Sequence, residues 1–207
     1  MTHRDDRNEP ALLLPANVVR VPPVTQTTGY SCGAAAALAM LRFWRPGAYE
    51  RVTERDLYSA LGTTEARGTE PEPIVSYLRE FAALEADYRS GDVTVAELER
   101  ALDAGEPPVV DLQAWRDVDA PYREVWDAGH YAIFVGYDAK HLFFMDPSVM
   151  TPSGYAYLLR EELYERWHDL AGDQDVRVER MTIFVRGAGK RPSPLESDPR
   201  ILATKLG

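Results

Sequence analysis

At 207 residues, 45% of them hydrophobic and including 4 Trp, 11 Tyr and 6 Phe, the chain has the length and apolar content for one globular domain and is not a disordered segment. Its formal net charge of −10 weighs against nucleic acid as a partner, since phosphate binding relies on clustered Lys and Arg. A single cysteine excludes an intrachain disulfide, no apolar run is long enough for a membrane span, and the start Met1-Thr2-His3-Arg4 lacks a secretory pattern, so a cytoplasmic protein is expected.

In chain order, residues 1–20 read as an N-terminal arm in which Leu12-Leu13-Leu14 is free to pack. The domain is expected over 21–186. Its first element is a helix from about Cys32 to Trp44, an alanine and leucine run of high helix propensity that must stop before Pro46-Gly47. A second helix is expected over Thr53–Leu61, with Thr53 as N-cap and Asp56 in the capping-box position. Pro73–Phe81 also reads as helical, and so does Thr94–Ala104, with Thr94 and Glu97 as its capping box and Gly105 as its stop. The pattern then turns to strands. Pro107–Leu112 reads as one, and Tyr131–Tyr137 with Leu142–Met145 form a hairpin around Asp138-Ala139-Lys140-His141. A short helix over Glu161–Trp167 and one half-buried strand over Val176–Val185 follow. From Gly187 the proline-bearing tail, 187–207, reads as a surface extension. Helices first and antiparallel strands afterwards make the class α+β.

The lone thiol, Cys32, stands at the start of the first helix, where free backbone N–H groups and the helix dipole favour a thiolate. The dipole supplies only ~0.3–1 kcal/mol, below the ~1.36 kcal/mol of one pKa unit, so a cationic histidine is needed as well. Of the four histidines, His3 lies in the arm, His141 in the hairpin turn and His168 beside an acidic helix. His130 alone opens a strand that must be buried, after a glycine that leaves room beside the ring. A third polar group should orient it. Asp138 lies ~27 Å along a continuous strand and is better read as turn chemistry. In the hairpin, residues at about 146–149 come back opposite His130, which brings Asp146 beside the imidazole. Gln26, six residues before the thiol, has a side-chain amide able to join the Cys32 N–H as an oxyanion hole, one donor being worth ~2.7–4 kcal/mol in a transition state.

Gln26 with Cys32-Gly33-Ala34-Ala35, then Gly129-His130-Tyr131-Ala132 with Gly136-Tyr137-Asp138, then Asp146-Pro147-Ser148 resembles the papain-like cysteine peptidases of family thirty-nine, best known for bacteriocin-leader peptidases. The resemblance spans about Val21 to Ser148. It implies a papain-like fold, Cys32 as nucleophile, His130 as base, Asp146 as orienter, Gln26 in the oxyanion hole, and a peptide or protein substrate. Leader peptidases often carry an acid just before the cysteine, where this chain has Ser31, and many are fused to a membrane transporter. A stand-alone thiol peptidase is therefore expected rather than a double-glycine leader peptidase. An acyltransferase or amidase on the same residues, or a peptide-binding module without turnover, would keep the same pattern. No cofactor or metal is expected, because no Cys/His cluster has zinc spacing and no glycine loop has phosphate-binding form.

Overall fold

Helix α1 (Cys32–Trp44) begins where the turn-rich segment meets the alanine run and ends at Arg45, just before Pro46-Gly47. The protein is seen here as a computed structural model that describes residues 9–117, 120–172, 174–187 and 201–207. Every α1 residue except Arg42 is buried, since the small side chains of Ala34–Ala37 allow close approach from several directions. Leu38, Met40 and Leu41 are each sequestered completely, at about 1.5–3 kcal/mol apiece. Helices α2 (Glu54–Leu61) and α3 (Pro71–Glu80) pack against α1. The Thr53–Asp56 capping box opens α2, and Gly62 ends it in the left-handed region. Pro71 starts α3 two residues before the sequence pattern suggests, because the first helical position tolerates a residue without an N–H.

Strand β1 is Leu12–Leu13 and β2, after α3, is Leu84–Arg89. Helix α4 (Val95–Asp103) follows with the expected Thr94–Glu97 capping box, and then β3 (Val109–Gln113). The hairpin is β4 (Gly129–Tyr137) and β5 (His141–Met145), with a bulge between Phe134 and Gly136. Strand β6 (Tyr155–Leu159), helix α5 (Arg160–Arg166), the pair β7 (His168–Ala171) and β8 (Val176–Glu179), then β9 (Thr182–Gly187) and β10 (Leu202–Lys205) complete the described order. Eight strands form one sheet in the order β1-β10-β6-β5-β4-β3-β9-β2, and β7 pairs with β8 separately. All pairs are antiparallel except β10 with β6.

Apolar side chains bury both faces of the sheet. One cluster joins α1, α2 and α3 to Tyr131, Ile133 and Val135 of β4; the other joins α4, α5 and Trp167 to Ala132 and Phe134. A strand covered on both faces carries an unbroken apolar run, which is why Tyr131–Val135 does not alternate with polar residues. The class is α+β.

The sequence reading expects no strand at β2, β6 or β7, and three further segments differ from it. Val176–Val185 is not one strand: the chain reverses at Arg180, whose φ is 57°, and the two halves enter different sheets. The end of the tail is not at the surface, because β10 joins β6 and both Ala203 and Leu206 are buried. Leu12 and Leu13 then pair with β10. Residues 1–8 of the expected arm and 188–200 of the expected extension lie outside the described residues.

Candidate active site

The loop before α1 owes its shape to one buried carboxylate. Glu54, 3% exposed at the start of α2, accepts on a single oxygen from Thr27 N (2.6 Å), Thr27 Oγ1 (2.5 Å), Ser31 Oγ (3.0 Å) and Tyr58 Oη (2.9 Å). Ser31 occupies the N-cap position of α1 but makes no capping bond; its hydroxyl is turned to Glu54 instead. The first-turn N–H groups around Cys32 are thus left without a side-chain cap. Gly33 is required by contact: a Cβ there would come within 2.7 Å of Thr69 and 3.1 Å of the Tyr131 ring. The first turn of α1 is thus packed closely against Thr69 and β4. Glu54→Ala should cost about 3 kcal/mol, the scale of orphaning several hydrogen bonds to a buried charge. Urea denaturation checks this, and a loss below ~1 kcal/mol would show that the loop does not depend on Glu54.

The hairpin brings the second half of the site. His130 Nε2 lies 2.6 Å from Asp146 Oδ1, with both residues almost fully buried. Asp146 also accepts from Ser148 N (2.9 Å) on the same oxygen and from Thr151 Oγ1 (2.5 Å) on the other, so its charge is fully solvated by donors. Register places Ile133 opposite Met145, which sets Asp146 one step beyond the paired strands and next to the start of β4. The His130 backbone N–H is itself fixed, donating to Asp111 Oδ1 at 3.0 Å. Trp115 stands edge-on to the imidazole with 4.9 Å between ring centroids. Nδ1 is buried and makes no full hydrogen bond; the Cys32 thiol is near enough to help hold a proton on the ring. Burial alone would lower the His130 pKa, but the Asp146 carboxylate first and then Cys32 drive it up to about 10. Burial pushes Asp146 up, yet the facing imidazolium and the Thr151 and Ser148 donors bring it below its ordinary value.

Gln26 joins the two halves. Its backbone N–H donates to Pro147 O at 2.8 Å, tying the loop before α1 to the residue after Asp146. Its Nε2 donates one proton to Thr28 O at 2.7 Å, and among the described residues the second amide proton has no acceptor. Asp138 is elsewhere: in the β4–β5 turn it accepts from Lys140 N, His141 N and the His141 ring. His168 is also remote from this chemistry, bonded through Nε2 to Val125 O and packed against Trp126.

Residues 18–174 match the family described as Peptidase_C39 like. The chain belongs to the C39-like peptidase family. Three solved structures similar in fold to this C39-like chain are each covered over their full length. A C39-like peptidase from Bacillus anthracis is 17% identical over 88% of this chain, with a TM-score of 0.60. The peptidase domain of Streptococcus ComA, a bi-functional ABC transporter of a quorum-sensing pathway, is 16% identical over 82%, with 0.56. A double glycine motif protease from an AMS/PCAT transporter, in complex with the leader peptide, is 16% identical over 87%, with 0.52. No curated protein matches. Among the described residues no helix of this C39-like chain is long and apolar enough to cross a membrane, and no group of three or more His, Cys, Asp or Glu is placed to hold a metal.

Sequence reasoning passes over Glu54, Asp111 and Thr151, which shape the loop or contact the His130–Asp146 pair. Asp111 alone carries a sequence signal, as a carboxylate inside the apolar run Val109-Val110-Asp111-Leu112. Glu54 reads only as a first-turn acid, and its four donors are visible only in three dimensions.

Proposed function

We propose that this C39-like chain is a stand-alone cysteine peptidase with a papain-like arrangement, cleaving a peptide amide through a thioester on Cys32. The observation that carries the reading is the His130 imidazole, anchored by Asp146 through Nε2 while Nδ1 is left to the thiol. Cys32 gives its proton to Nδ1 and its sulfur attacks the substrate carbonyl. The developing oxyanion accepts hydrogen bonds from the Gln26 side-chain amide and the Cys32 N–H. His130 then donates its proton to the leaving amine as the C–N bond breaks and the thioester forms. A water, deprotonated by His130, attacks the thioester and releases the acid with the thiol restored. Asp146 holds the ring in the tautomer this sequence needs. The leader peptide bound by the double glycine motif protease supports a peptide as the substrate class here. A nucleophile that must stay reduced suits the cytoplasm.

Incubating the protein with a peptide mixture, with and without an added primary amine, tests the reading by mass spectrometry. New carboxyl-terminated fragments in both samples are expected. Products formed only with the amine, and carrying it, would make the protein an acyltransferase instead. Gln26→Ala should lower kcat by roughly 10²–10³ with little change in KM, as for loss of one oxyanion donor. A change confined to KM would make Gln26 a substrate-binding residue.

A further inference from the structure

A narrow pocket of about 60 Å³ opens beside Cys32, between the turn before α3 and the ends of β3, β4 and β7. Three carboxyl groups line it, Glu70, Asp111 and Asp169, together with one cation, Arg67. Arg67 is already matched: it donates to Glu70 (3.1 Å), to Asp175 (2.8 Å) and to the Gly172 carbonyl. The Gly172 N–H returns to Glu70 at 3.1 Å and closes the ring. Among the described residues neither Asp111 nor Asp169 forms an ion pair with an Arg or Lys, and the only cation acting on Asp111 is the His130 imidazolium.

Asp111 is held at one oxygen, and Asp169 by Gln113 and by the backbone N–H of Leu170. Asp111, 3% exposed, accepts from His130 N on Oδ1, and among the described residues no donor reaches its second oxygen. Asp169 accepts from Gln113 Nε2 at 2.9 Å on Oδ1. Its Oδ2 occupies the space of a missing side chain, since a Cβ on Gly129 would lie 1.9 Å from it. The glycine before His130 therefore makes room for this carboxylate rather than for the imidazole. Burial raises both acids, Asp111 well above its ordinary value, with Asp169 as its next cause, and Asp169 to about 6. Two carboxyl groups that resist joint ionisation are both stabilised when a cation enters the pocket between them.

We infer that this pocket selects a basic side chain, lysine or arginine, on the acyl side of the scissile bond. The inference rests on the peptidase reading. The acyl side follows from strand alternation: Gly129 and Tyr131 line the pocket and face away from the His130 side chain, which serves the leaving amine. An ammonium or guanidinium head there would meet the carboxyl groups of Asp111 and Asp169 beside the attacked carbonyl. The volume suits such a head and not an aromatic ring.

Peptidyl acyloxymethyl ketones with lysine, arginine, norleucine or glutamate at the first or second acyl-side residue test this. Intact-mass measurement follows their covalent labelling of Cys32 near neutral pH, in the wild type and in Asp169→Asn. The basic probes should label the wild type at least ~10-fold faster than norleucine at one of the two positions, as for one charge-assisted contact, with glutamate slowest. In Asp169→Asn, where the amide oxygen can keep the Gln113 bond, that ratio should fall toward one. Equal wild-type rates for all four side chains at both positions would overturn the pocket assignment while leaving a reactive Cys32 and the peptidase reading intact. A Cys32 that no probe labels would bring down the peptidase reading, and the inference with it. The wild-type comparison decides the matter even if the variant does not fold.

Discussion

Cys32→Ala is expected to abolish turnover of every peptide the wild type cleaves, while shifting the melting temperature by no more than about 4 °C. Without the sulfur no thioester can form, and neither the oxyanion donors nor His130 supplies a replacement nucleophile. Stability should change little because the thiol forms no disulfide and sits at the first residue of α1, whose burial rests on Leu38, Met40 and Leu41 further along. Peptide cleavage followed by mass spectrometry, with a thermal melt of the same sample, checks both halves. Retained turnover would reject the nucleophile assignment. A collapse of the melting temperature would instead make Cys32 a packing residue, since core truncations that leave cavities cost several kcal/mol.

Asp146→Asn should lower kcat/KM by roughly 10²–10⁴, the upper end being what the equivalent change costs a serine-protease triad. The amide preserves the volume and can keep the Ser148 bond, but it removes the charge that opposes the burial of the imidazolium. With that charge gone, burial dominates and His130 releases its proton at lower pH. The alkaline limb of the pH–rate profile, expected near the His130 value of about 10 in the wild type, should therefore move down. His130 is raised, so its contribution to stability is complete below its ordinary 6.5 and fades as pH climbs to about 10. Asp146 is lowered, so its contribution is present above its ordinary 3.8 and is lost as pH falls. The stability gap between wild type and Asp146→Asn should thus be widest at about pH 4–6.5 and close toward pH 10. Denaturant titrations at pH 6 and pH 10 measure it. Asp138→Asn, in the exposed turn, should leave the rate profile in place. If Asp138→Asn moves the alkaline limb and Asp146→Asn does not, the roles of the two acids are reversed.

Local signals carried the helices. The alanine run with Pro46-Gly47 bounds α1, and reciprocal Thr–acid pairs mark the starts of α2 and α4, because capping is decided within four residues. The hairpin was equally readable, and its register is what brings Asp146 back beside His130. Elements that depend on distant partners were not. Strand β10 is four residues long and exists through its pairing with β6 and β1, which no neighbouring residue encodes. Val176–Val185 alternates across a reversal, and period alone cannot see a left-handed residue such as Arg180. Of the candidate site residues, Gln26, Cys32, His130 and Asp146 are marked by residue type and spacing. Glu54 and Asp169 are not, for each acts through a contact that spans many residues of chain.

The chain's single cysteine makes one measurement decisive. Iodoacetamide can alkylate only one thiol, and its rate at pH 6, followed by intact mass in the wild type and in His130→Ala, reports directly on whether the imidazole activates that sulfur. The wild type should react far faster, because the Asp146-anchored His130 still holds its proton there and balances the thiolate charge. Equal rates in the two proteins would contradict the Cys32–His130 pair on which the peptidase reading stands.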